Sequence, residues 1–174
     1  MKILLDCGFY TGAATRNLLR QGVIDKDWVV YAFEPNPEID IEEIVKEFPM
    51  KVETHREAVW TKGGTKDFKV ATRANASHLK GTAGHDPKNI VRVPTIDFSS
   101  FVANLPEAFI WCSMDIEGAE YKVLEKMIKE GTIDKINVLE IEMHDRFVAD
   151  YTFEDSEKLK KDIRERGIKV ITEE

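Results

Sequence analysis

The stretch CSMDIEGAEYKVLEKM (residues 112–127) sets Asp115, Glu117 and Glu120 within six positions, between an apolar run and a helix-like pattern. Three chemistries suit such a group. An acid in a first helical turn favours the helix dipole with no further role, which is an even match for Glu120. A carboxylate whose pKa is raised by burial and by acidic neighbours can take a proton from a hydroxyl as a general base. Hard oxygen ligands joined by Glu142 or His144 could also hold Mg²⁺ or Mn²⁺. The base role ranks above the cation, and no metal ligand is assigned. VLEIEMHD extends the set, because strand alternation puts Glu140, Glu142 and His144 on one face, with the last two nearest the strand end. Either that face is partly exposed, or Glu142 and His144 face an acceptor. Ser77 and His78, in a stretch without periodicity, could line the same pocket, although a lone loop histidine is more often solvated.

A second group lies near the start. DCGFYTGAAT places Asp6, Gly8 and Gly12 directly after a strand-like run and at a helix start, where glycines let the backbone approach a ligand and free amides favour polar groups. The spacing is not the G-x-G-x-x-G dinucleotide signature. Glu34 closes WVVYAFE 22 positions after Gly12, about where α/β cofactor folds place a carboxylate for ribose hydroxyls.

These residues need strand ends and helix starts to hold them, and the chain supplies both in alternation. KILLDC predicts a strand, then a helix capped by Thr11 and running to about Arg20. WVVYAF predicts a second strand, followed by a helix with Asn36 as N-cap, Pro37 at its first position and Pro49 as its stop. Met50 to Trp60 is strand-like, and KDFKVAT suits a hairpin outside a parallel core. RANASHLKGTAGHDPKN reads as a loop. VRVPTIDF leads to a short helix, FIWCSM to a helix over about Gly118–Glu130, and INVLEIEM to a charged helix and the last strand IKVITEE. The expected fold is a doubly wound, mostly parallel sheet between helix layers, with six parallel strands or fewer, in one domain over residues 1–174.

Composition narrows the function. A chain of 174 residues with 43% hydrophobic content suits one well-buried core. Its net charge of −7 opposes binding nucleic acid through phosphates. No apolar run is long enough to span a bilayer and no leader pattern opens the chain, so a cytoplasmic protein without a membrane partner is expected. Cys7 and Cys112 lie in apolar runs and read as buried reduced thiols.

DCGFYTG (6–12), YAFEPNP (31–37), MDIEGAEYKVL (114–124) and LEIEMH (139–144) follow one another in an order that resembles the FkbM family of S-adenosylmethionine-dependent methyltransferases. The resemblance implies a minimal Rossmann-like class I methyltransferase fold of three α/β/α layers. It also implies O-methylation of a hydroxyl on a sugar, glycan or small metabolite. Asp6, Gly8 and Gly12 would hold the methionine half of the cofactor, with Tyr10 and Thr11 in the same turn. Glu34, followed by Pro35, would take the ribose, Glu57 with Ala58 the adenine, and Asp115 would adjoin the cofactor. Asp115, Glu117, Glu142 and His144 are the candidates for the proton step. An NAD-dependent oxidoreductase and a non-catalytic cofactor-binding or interaction domain are the rivals. The chain begins almost on its first strand and ends after IKVITEE, where the family's fold adds an antiparallel strand. Either a second copy covers that edge, or the domain is minimal with an open acceptor site.

Overall fold

Apolar runs that do not alternate become central strands because both their faces are covered, and this explains KILLDC, WVVYAF and FIWCSM. In the computed structural model, which describes residues 1–70, 77–79 and 89–172, β1 (Lys2–Cys7) leads to α1 (Ala13–Arg20), and β2 (Val29–Phe33) to α2 (Ile41–Ile44). Then come β3 (Lys51–His55), β4 (Ala58–Trp60), β5 (Gly64–Val70), β6 (His78–Leu79) and β7 (Asn89–Asp97). The remainder is α3 (Phe98–Ala103), β8 (Phe109–Met114), α4 (Glu120–Glu130), β9 (Val138–Ile141), α5 (Phe153–Glu165) and β10 (Lys169–Thr172).

Six strands form a parallel sheet in the order β10-β9-β8-β1-β2-β3, between helices, as the doubly wound expectation requires. Within β1, Ile3, Leu5 and Cys7 join the core built with Val123, Leu124, Met127 and Ile163, while Leu4 faces Leu18 and Ile41. Strand alternation thus divides the α3–α4–α5 layer from the α1–α2 layer. Cys7 and Cys112 are free and buried, and burial pushes the Cys7 thiol up, which keeps it an unreactive core group.

Several local expectations are corrected. The 50–60 stretch is two strands, and β4 leaves the parallel sheet to join a second one in the order β4-β7-β5-β6, whose core is Ala58, Phe68, Val70, Leu79 and Val93. The expected loop contains β6, paired antiparallel to β5, so His78 is buried at 2% exposure rather than solvated. Residues 73–76 and 80–88 of that stretch lie outside the described residues. Thr11 does not cap α1; Gly12 occupies the cap position with φ 74° and no side-chain bond. Asn36 does not cap α2 either. Its side chain accepts the Glu38 N–H at 3.0 Å, and the Asp40 carboxylate caps a shorter helix through the Glu43 N–H. No helix among the described residues is long and apolar enough to cross a membrane.

Candidate active site

In the strand order, β1 has β2 on one side and β8 on the other, so the turns after β1 and β8 lead to helices on opposite faces. Open α/β sheets bind ligands at such a switch point, because the diverging turns leave a crevice. Here they meet closely. Asp115 N–H donates to the Cys7 carbonyl at 3.0 Å, and a Cβ on Gly8, which has φ +89°, would lie 1.9 Å from the Asp115 carbonyl oxygen. We expect Gly8→Ala to destabilise the protein by roughly 3 kcal/mol or more, the combined cost of a left-handed alanine and an overpacked backbone contact. An urea denaturation midpoint matching the parent would refute that close approach.

The crevice is a cleft of about 640 Å³, its open mouth included. Phe33, Ala58, Val59, Phe68 and Leu79 give it an apolar wall, and Gly8, Tyr10 and Pro35 line it as well. Its polar side chains include Glu34, Ser77, Asp115 and Glu117. Glu34 is 5% exposed, and its carboxylate accepts the Tyr10 N–H at 2.8 Å and the Asn36 N–H at 2.7 Å. Burial pushes its pKa up, and those two N–H bonds oppose the shift. Tyr10 has φ 45° and Glu117 has φ 54°, so both turns bordering the cleft carry a non-glycine residue in left-handed backbone. Strain of this kind persists where the surroundings enforce it, and the Tyr10 bond to Glu34 is one such restraint.

The Asp115 end of the cleft abuts a histidine enclosed by four carboxylates. His144 is 5% exposed, with Nδ1 3.1 Å from Glu120 and Nε2 3.5 Å from Glu117 and 3.7 Å from both Asp115 and Glu142. Burial alone would push the imidazole down. The hydrogen bond to Glu120 and the charges of Glu120, Glu117 and Asp115 outweigh it, and its pKa rises to about 9. Asp115 is pushed up to about 7, first by desolvation and then by Glu142, with His144 opposing. Burial likewise raises Glu117. Asp115, Glu117 and His144 each bring one ligand atom within 4.8 Å of the others. A cation bound at Nε2 would have to displace a proton held well above neutrality.

The predicted residues separate into those that line the cleft and those that support it. Gly8, Tyr10, Glu34, Pro35, Ala58, Asp115 and Glu117 line it. Asp6 is 2% exposed and accepts the Thr15 hydroxyl, tying β1 to α1. Gly12 packs against Phe9 and Phe48, and Thr11 gives its carbonyl to Arg16. Glu57 lies 3.2 Å from the His55 ring while its neighbour Ala58 faces the cleft. Glu140 accepts the Trp111 indole N–H at 3.0 Å. Sequence reasoning missed Val59, Phe68, Leu79 and Ile116, apolar residues with no chemical signature, and it undervalued Glu120. Glu120 is fully buried and accepts the Ile116 N–H at 2.9 Å and the Gly118 N–H at 2.8 Å, closing the turn after β8. A glutamate just behind an E-G-A turn is the signal that could have exposed it.

Neither a curated protein nor a solved structure matches the chain significantly. A scan of protein families matches residues 6–167 to the FkbM methyltransferase domain, across the whole cleft, both glycine turns and the histidine cage. The chain belongs to the FkbM methyltransferase family.

Proposed function

We propose that this methyltransferase uses S-adenosylmethionine and methylates an oxygen, a hydroxyl of a sugar or other small metabolite. The observation that carries the reading is a buried carboxylate, Glu34, and a carboxyl shifted to about 7, Asp115, in one cleft at the switch point of the sheet. The residues present suit the cofactor. Glu34 uses one lone-pair site on each oxygen for Tyr10 and Asn36, leaving acceptor capacity for ribose hydroxyls. The apolar wall around Ala58 and Val59 suits a flat base, and the Gly8–Tyr10 turn suits the amino-acid end. When bound, the cofactor supplies a methyl group already activated by its sulfonium.

The chain then has to orient the acceptor and accept its proton. Asp115 takes the proton, since a carboxyl titrating near neutrality combines an available base form with useful basicity. His144, charged at neutral pH, steadies the surrounding carboxylates and does not itself serve as the base. Glu117 and Glu142 shape the field that tunes Asp115. No metal is assigned a part.

Calorimetry with S-adenosylmethionine, S-adenosylhomocysteine and NAD tests the cofactor. The adenosyl ligands should bind and NAD should not. Glu34→Ala should weaken them ~10–100-fold, the size of a lost hydrogen-bond pair to a charged group. Binding of NAD alone would return the chain to the oxidoreductase alternative.

A further inference from the structure

Beyond the cofactor cleft, a second cavity opens on the far side of the histidine cage. It encloses about 820 Å³, its mouth included, between the end of β9 and the first turns of α5. Glu142 and His144 form its inner wall. The cage is therefore the partition between two hollows, with Asp115 and Glu117 on one side and Glu142 and His144 on the other. Asp115 and Glu142 each lie 3.7 Å from His144 Nε2 and about half of each side chain is exposed, so only the rim of this partition separates the second cavity from the candidate base.

Three residues mark the outer wall. Arg146 is exposed and has no ion pair or hydrogen bond among the described residues. It stands two positions from His144 in a chain where 32 acidic residues outnumber 25 basic ones. Lys160 extends along the cavity with its side chain only 13% exposed, paired to Glu157. Phe153, the first residue of α5, is 63% exposed while lining the same hollow. Two carboxylates, Glu142 and Asp145, complete the set.

We infer that this cavity is the acceptor subsite and that it takes a sugar unit bearing one anionic group, a carboxylate or a phosphate. Arg146 meets the anion with its planar donor fork, and Lys160 adds a point charge. Phe153 offers its face to the apolar side of the ring. Glu142 and Asp145 accept hydrogen bonds from ring hydroxyls, and the hydroxyl to be methylated extends over the rim beside Glu142 toward Asp115 and the cofactor cleft. The inference rests on the methyl-transfer reading and narrows its substrate class.

The test is calorimetry on the full chain saturated with S-adenosylhomocysteine, titrated with D-glucuronate, glucose 6-phosphate, glucose and glucosamine. Glucuronate or glucose 6-phosphate should bind ~tenfold or more tighter than glucose, and whichever of the two binds better identifies the anion. Arg146→Gln should abolish the preference, Phe153→Ala should weaken all four sugars alike, and neither should change affinity for S-adenosylhomocysteine. Equal or tighter binding of glucose or glucosamine, a preference that survives Arg146→Gln, or no sugar binding at all would overturn the subsite. Failure of S-adenosylhomocysteine to bind the unaltered chain would instead reject the methyl-transfer reading. The sugar titrations on the unliganded chain would still decide whether the cavity holds an anionic sugar.

Discussion

Asp115→Asn should lower kcat by roughly 10²–10⁴, the usual contribution of a positioned general base, while leaving affinity for S-adenosylhomocysteine within a few-fold of the parent. The geometry behind this is the position of Asp115 at the switch point, at the end of a cleft that also holds Glu34. A base works only when deprotonated, and burial with Glu142 raises Asp115 to about 7. The rate should therefore rise with pH through that value and level off above it. About half of the Asp115 side chain faces the open cleft, so water there screens the shift and a ligand filling the cleft strengthens it. The charge on His144 holds Asp115 below the value its carboxylate neighbours alone would impose. His144→Gln should move the rising limb to higher pH, whereas a histidine acting as the base would lose turnover with no such displacement. Rate profiles of the two variants at saturating cofactor separate these cases.

What could be read from the chain depended on how far each residue's partner lies along it. Glu34 was legible because a carboxylate closing a buried strand just before P-N-P is bonded by a near neighbour, the Asn36 N–H, whereas its bond from the distant Tyr10 N–H was not. Gly8 was legible as a glycine but for another reason than the one found: its missing Cβ admits the backbone of Asp115 from a distant strand. The second sheet was only half visible. KDFKVAT announced a hairpin, but nothing in the alternation of residues 50–60 says that β4 pairs in parallel with β7. Asn36 and Asp40 are both good caps, and the turn that the Asn36 side chain closes with Glu38 leaves the role to Asp40. The carboxylates were recognisable as a group. Their enclosure of one histidine was not, because it depends on the left-handed backbone at Glu117 and on the turn after β9.

Glu120 should then be the most sensitive acid for stability rather than for turnover. Its fully buried carboxylate accepts two backbone N–H groups of the turn after β8 and meets His144 at 3.1 Å, so truncation strands two donors and an imidazolium together. Breaking a buried charged pair from one side typically costs about 3–5 kcal/mol, a large share of the ~5–15 kcal/mol that holds a domain folded. Glu120→Ala should therefore lower the urea midpoint steeply or prevent folding. Glu120→Gln retains one acceptor and allows a measurement in the folded state. The pH dependence separates the histidine's part. His144 is raised from 6.5 to about 9, so its proton stabilises the fold fully below about pH 6.5, and that contribution is lost as pH rises through about 9. For a group this buried the full effect is ~3 kcal/mol. The parent should lose stability between pH 6.5 and 9, and Glu120→Gln should lose less over the same range, because the partner that raises the imidazole most has been neutralised. Equal slopes in parent and variant would mean that Glu120 closes the turn without holding the histidine's proton.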